Sequence, residues 1–343
     1  MVDVKKKCVG AVLMVAVLLM ASVLPALAAT TGQSSGSFEL GNEAPQVVSV
    51  NLLLEDENTD ANNQMTPQTE YALKIVASDA NGYGDISKIT VYIYYDANGD
   101  GADEPGSDNP QTQATYQWTS SGGWTFVGPA GSTWGIDTAA DQSRGPVSTT
   151  TTTGTWYLHF IPGKVATQSD EDDSKWIIKV VVEDGNSASD SMKDTDNEMQ
   201  WYGEIQVDDG SFDFGSVNLG SSDNPITTPN DHNIDITTVS NGQHKIQAKT
   251  DAQWSSGGNN VNVNTVSESP GAGEITIEHF NANDETSAAI VQTSYTDVQG
   301  LTSIGQTSET GTTSEIYMWL TVGSEGIMSG TYTGTYYVQI ANA

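Results

Sequence analysis

The stretch DANGDGADEPGSD, Asp96 to Asp108, follows the run KITVYIYY and concentrates oxygen donors at alternate positions. Asp96, Asn98 and Asp100 offer side-chain oxygens, Gly99 and Gly101 let the backbone curl, and the Ala102 carbonyl, Glu104 and Asp108 extend the set. Oxygen-only ligands in that pattern suit a hard cation, calcium above all. An EF-hand is excluded. Its twelfth position requires a bidentate Glu where this chain has Ser107, Asp108 comes one place late, and Pro105 with Gly106 would not start an exit helix. Mutual repulsion among Asp96, Asp100, Asp103 and Glu104 favours a bound Ca2+ over the alternative, a plain acidic turn.

Two weaker cation candidates lie in loops between strands: Asp79, Asn81 and Asp85 in SDANGYGD, and Glu183, Asp184, Asn186 and Asp190 in VEDGNSASD. For both, an Asx turn is the first reading, because Asp and Asn side chains readily bond their own backbone. Trp118, Trp124 and Trp134 lie close together in sequence. Exposed in a row, they would bind carbohydrate by stacking on sugar faces; the preferred reading is a small hydrophobic cluster. The four histidines, His159, His232, His244 and His279, stand in no nucleophile-base, zinc or phosphate-loop motif. The chain is therefore read as no enzyme.

Composition sets the frame for these residues. The chain has 343 residues, 12 Lys and Arg against 44 Asp and Glu, and a formal net charge of −32. Such acidity excludes nucleic acid as a natural partner, since binding a polyanion requires basic residues to displace counterions. Residues 1–28 read as a secretory signal peptide: three lysines, an apolar run, Pro25, then Ala26-Leu27-Ala28. The rival is an uncleaved anchor. Cleavage removes the single cysteine, Cys8, leaving an exported chain without disulfides or membrane span. No Asn-x-Ser/Thr acceptor follows the leader.

The elements that must position the candidate residues are strands. In YALKIVAS, Leu73, Ile75 and Ala77 share a face; in KITVYIYY, Ile89, Val91 and Ile93 do. Thr155–Ile161, Lys175–Glu183 and Met199–Val207 continue the alternation, and residues 96–153 read as an insertion carrying one or two hairpins. A second module starts near Asp208, with strands expected at Phe212–Leu219, Asn233–Val239, His244–Thr250, Val261–Val266, Glu274–Phe280, Glu315–Val322 and Gly330–Ala341. No convincing helix follows the leader. About seven short strands per module predict an all-β protein of two tandem immunoglobulin-like antiparallel β-sandwich domains, residues 46–207 and 208–343, after a flexible segment at 29–45.

EAPQVVSVNLLL with YALKIVASDANGYGDISKITVYIYYD resembles the immunoglobulin-like domains of archaeal and bacterial cell-surface proteins. FDFGSVNLG with SGTYTGTYYVQI resembles the C-terminal sandwiches of secreted archaeal envelope proteins. The resemblance implies a surface-layer, sheath, filament or adhesion component, although the usual anchors of surface-layer proteins are missing. The resulting expectation is a non-catalytic, calcium-stabilised structural protein of the cell exterior. Its partners would be copies of itself in a homo-polymer, with other envelope proteins or glycans as further partners. The assembly residues would be Ser37, Phe38, Glu39 and Leu40, adding as an edge strand to a neighbouring subunit. The alternative is a secreted adhesin or carbohydrate-binding protein.

Overall fold

Alternation of apolar and polar residues becomes alternation of burial: Leu73, Ile75, Ala77, Ile89, Val91 and Ile93 are all fully inaccessible to solvent. A computed structural model describes residues 35–139, 141–147 and 149–343. The expected signal peptide, Cys8 and the start of the segment expected to be flexible lie outside the described residues.

The first half of the described chain contributes β1 (Gln46–Leu54), β2 (Gln64–Met65), β3 (Tyr71–Ser78), β4 (Ile86–Asp96), β5 (Gln113–Thr119), β6 (Gly123–Gly128), β7 (Gly135–Asp137), β8 (Arg144–Val147), β9 (Thr153–Ile161), β10 (Lys175–Asp184) and β11 (Ser189–Met199). The second contributes β12 (Gly203–Val207), β13 (Asn224–Pro225), β14 (Asn233–Ser240), β15 (His244–Thr250), β16 (Gln253–Ser256), β17 (Asn259–Val263), β18 (Glu274–Phe280), β19 (Ala289–Ile290), β20 (Thr296–Asp297), β21 (Thr312–Val322) and β22 (Tyr336–Asn342). Short 3-10 turns occur at Tyr83–Asp85 and Glu285–Ser287. The protein is all-β.

One sheet runs β1-β3-β9-β7, with β8 also on β9, and a second runs β2-β11-β10-β4-β5-β6. Between them lies a core that includes Trp156, Trp176, Tyr116 and Phe160, none exposed. A third sheet, β12-β14-β21-β18-β17-β16, and a fourth, β20-β15-β22, enclose a separate cluster around Ile236, Ile246, Ile277 and Met318. Apolar side chains on inward faces drop out of water at roughly 25 cal/mol per Å2, which drives this pairing of sheets.

Several sequence expectations change. The segment 96–153, expected as an insertion with one or two hairpins, forms the β5-β6 hairpin and is integral to the sheets: β5 and β6 extend the β4 sheet, while β7 and β8 join the opposite one through β9. MQWYGEIQV is not one strand; Met199 ends β11, and Gly203–Val207 pairs with β14 around the second core. Phe212–Leu219 forms no strand, yet Phe214 is buried against Trp254. The polar β11, SDSMKDTDNEM, carries no apolar alternation, and only its last residues are buried.

The two cores are joined by polar contacts. Gln111 Nε2 donates to the Thr307 carbonyl at 2.9 Å, Gln306 Nε2 to the Val165 carbonyl at 2.7 Å, and Thr133 N–H to Glu309 Oε1 at 3.0 Å. Asn241, wholly buried in the turn between β14 and β15, reaches three backbone groups of the chain around residues 166–202.

Candidate cation site

The Asp96 loop is assembled differently from the expected calcium loop. Asp96 ends β4 and is fully buried; its Oδ1 accepts from the N–H groups of Asn98 and Gly99 and its Oδ2 from Gly101 at 2.8 Å. Asp100 Oδ1 accepts from Ala102 N–H at 2.8 Å, and Asn98 Nδ2 donates to Asp100 Oδ2. These are Asx-type bonds that build the turn. Gly99 and Gly101 have φ of 63° and 74°, and a Cβ at Gly99 would collide with the Asp173 carbonyl oxygen.

Glu104 turns to Lys179 on β10 at 2.5 Å and Lys193 on β11 at 2.9 Å. Their ammonium groups hold its carboxyl below the ordinary carboxylate range. Lys193 also donates to the carbonyls of Gly101 and Asp103. Asp108 Oδ1 accepts from Thr115 Oγ1 at 2.5 Å and Gln113 Nε2 at 3.2 Å. Two lysines thus supply positive charge at Glu104, while the side chains of Asp96 and Asp100 are engaged by N–H groups of the turn and by Asn98. Among the described residues, no three-carboxylate cluster includes Asp96, Asp100, Glu104 or Asp108.

The fold gathers carboxylates elsewhere. Asp79, Asp85 and Asp184 place one oxygen each within 4.8 Å of one another. Asp79 follows β3 in one sheet, Asp85 ends the 3-10 turn that leads into β4, and Asp184 ends β10, β4's partner in the other sheet. Asp79 and Asp85 from one of the weaker loops and Asp184 from the other are therefore brought together where β3 ends, β4 begins and β10 ends. Gly185 N–H donates to the Asp85 carbonyl at 2.9 Å and draws the loops together.

Two of the three carboxylates are aimed by backbone bonds. Asp79 Oδ1 accepts from Asn81 N–H at 2.7 Å, and Asp184 Oδ1 accepts from the N–H groups of Asn186 and Ala188 at 2.8 and 2.9 Å. Asp79 and Asp184 are 2% and 1% exposed, and Asp79 Oδ2 is buried with no hydrogen-bond partner. A buried carboxylate oxygen without a donor costs about 1–3 kcal/mol or more. Repulsion between two such charges adds on the order of 3 kcal/mol at an effective dielectric near 20. Among the described residues no ion pair involves Asp79 or Asp85.

A hard divalent cation resolves both costs. Oxygens within 4.8 Å of one another can share a calcium ion, which binds at about 2.4 Å from each. Nitrogen and sulfur ligands, which zinc prefers, do not contribute. The side-chain oxygen of Asn81, the third residue expected in this set, accepts from Glu43 N–H at 2.8 Å, and Asp184 adds a carboxylate from the second loop.

We expect calcium to raise the thermal midpoint of the wild type, by about 2.7 kcal/mol of stability at a hundredfold excess over its dissociation constant. Asp79→Asn removes this increment without lowering the calcium-free midpoint, because asparagine keeps the acceptor for Asn81 N–H and removes a charge set among other carboxylates. Calorimetric scans with chelator and with calcium check both halves.

The remaining candidates are placed as follows. Trp118, Trp124 and Trp134 are only 5%, 6% and 3% exposed; Trp118 packs edge-on to Trp156, and Trp134 packs on Trp176. Buried rings cannot stack on a sugar, so the sugar-binding row is corrected to the hydrophobic cluster. Ser37, Phe38, Glu39 and Leu40 form no secondary structure, and Phe38 and Leu40 are 91% and 75% exposed. His159, fully buried, lies between Glu70 at 2.8 Å and Glu57 at 2.9 Å, with Arg144 completing the group through Glu57. Nothing in the sequence pairs these residues.

Among the described residues, no helix is long and apolar enough to cross a membrane. No protein-family model matches the chain, and neither does any curated protein. Among solved structures the chain is similar to one described as "Chaperone-tip adhesin complex is vital for synergistic activation of CFA/I fimbriae biogenesis". The identity is 9% and the TM-score 0.24, over 88% of this chain and 92% of that chain.

Proposed function

We propose that this chain is a non-catalytic structural protein of the cell exterior, a subunit that polymerises with copies of itself into a filament, sheath or lattice. The observation that carries the reading is the apolar pair Phe38 and Leu40, exposed in a stretch with no secondary structure. Burying two such side chains against another subunit contributes about 3–6 kcal/mol before ordering costs. Strands with one open edge support it: among the described residues, β1, β6 and β22 each have a hydrogen-bonded strand neighbour on one side only. Main-chain pairing of an extended segment satisfies such an edge, and alternate side chains of SFEL provide the apolar grip.

Calcium enters this reading as a staple. At Asp79, Asp85 and Asp184 it ties the two sheets around the first core, stiffening a subunit that has no disulfide once the leader is removed. The acidity suits a calcium-rich or saline exterior.

The test compares residues 29–343 with a chain lacking 29–43, by negative-stain microscopy at millimolar calcium. Ordered polymers from the first and dispersed particles from the second are expected. Polymers of normal form from the shortened chain would remove the donor-strand step, and dispersed particles from both would overturn self-assembly.

A further inference from the structure

A second group of carboxylates lies beside the other core, in residues that the sequence reading did not single out. Asp223, Glu278 and Glu285 each place an oxygen within 4.8 Å of the others. Glu278 is on β18, the strand between β21 and β17, and is held in register opposite Trp319 of β21 and Ile290 of β19. Asp223 immediately precedes β13, and Glu285 opens the 3-10 turn after β18.

Burial distinguishes this group from an ordinary acidic surface. Glu278 is only 1% exposed, and its Oε2 has no hydrogen-bond partner. Asp223 Oδ1 has a long contact of 3.5 Å with Thr321 Oγ1. No ion pair among the described residues reaches Asp223, Glu278 or Glu285. The Asp96 loop shows the usual alternative, neutralisation by lysine, and it is not used here. A buried carboxylate clustered with two further carboxylates is relieved by taking up a proton or by binding a cation, and the convergence of three acidic oxygens favours the cation.

We infer that Asp223, Glu278 and Glu285 bind a second hard divalent cation, of the calcium class, which fastens the loops before β13 and after β18 to the central strand of the third sheet. The ligands are again all oxygen, and the mixed burial, with Asp223 exposed and Glu285 half-buried, leaves an entry path from solvent. In the cation's absence, burial first, then the charges of Glu268, Glu285 and Asp223, push the Glu278 carboxyl up to about 7. This site does not depend on the function proposed above; it rests on its own three residues.

The experiment is a calcium titration by calorimetry of the full chain, its Glu278→Gln and Asp79→Asn variants and the double variant, with terbium as a luminescent probe. Glu278→Gln is isosteric and removes an uncompensated charge, so folding is preserved; Asp223→Asn provides a second test at an exposed position. Each ligand variant at this site is expected to lower the stoichiometry by one ion per chain and to remove the tryptophan-sensitised terbium signal, which Trp319→Phe also reduces. Unchanged stoichiometry and terbium signal in both Glu278→Gln and Asp223→Asn would overturn the inference. Loss of an ion in Asp79→Asn reports on the first site alone, so failure of one assignment is distinguishable from failure of the other.

Discussion

Asn241→Ala is expected to destabilise the protein by about 3 kcal/mol and Asn241→Asp by more. Asn241 Nδ2 donates to the carbonyls of Ala166 and Gln200, both at 2.8 Å, and its Oδ1 accepts from Tyr202 N–H at 2.7 Å. Its own N–H donates to the Tyr202 carbonyl, and its carbonyl accepts from Gln168 N–H. Alanine keeps the last two bonds and abandons the first three. Each buried polar group left without a partner costs about 1–3 kcal/mol, part of which water entering the cavity recovers. Aspartate preserves the shape and the Tyr202 bond but turns an acceptor toward two carbonyls, replacing attraction with repulsion. Because the residue joins chain around one core to chain around the other, the loss should also show as a broader or split thermal transition. Differential scanning calorimetry of both variants checks this; a change below about 1 kcal/mol for the aspartate would sink the claim that Asn241 pins the cores.

The second large effect concerns acid. His279 on β18 is 1% exposed, its Nδ1 lies 2.8 Å from the Tyr336 hydroxyl, and burial lowers its pKa to about 4. In the unfolded chain a histidine titrates near 6.5. Between those values the unfolded state binds more protons, so stability rises with pH: the contribution is complete above about 6.5 and is lost as pH falls toward 4. At about 1.4 kcal/mol per unit, the interval amounts to about 3 kcal/mol. His244, fully buried near Thr238, is shifted the same way by burial and adds to the slope. Glu278 acts in the opposite direction, so the measurement is a difference. Urea midpoints of wild type and His279→Gln from pH 4.5 to 7 should diverge, the wild type falling more steeply toward acid by up to one proton's worth of slope. Parallel curves would show that His279 titrates alike in the folded and unfolded chain.

Much of the architecture was legible in local pattern. Strands at His244–Thr250 and Glu274–Phe280 lie where alternation places them, and Ile316, Met318, Leu320 and Val322 do face the core. The failures share a cause. Phe212–Leu219 has strand-like composition but no partner, and β11 has a partner but little apolar content, since pairing with β10 stabilises it from outside its own sequence. The tryptophans of the 96–153 segment could be read as exposed or packed only once that segment was known to complete both sheets.

The candidate cation site was half legible. Asp79 and Asp85 lie within one turn, and their donor chemistry is visible in the sequence; so is the acidity of the Asp96 loop. The sequence by itself determined the all-β class, the inward faces of the main strands and which turns carry oxygen donors, because alternation and turn-making are properties of residues a few positions apart. Only the tertiary structure decided which charges meet. Lys179 and Lys193 reach Glu104 through the β4-β10-β11 register, Asp184 reaches Asp79 across two sheets, and Asp223 and Glu285 reach Glu278 from separate loops. Those meetings are set by long-range strand order and sheet packing, and a carboxylate becomes a ligand or a salt-bridge partner according to what the fold carries to it.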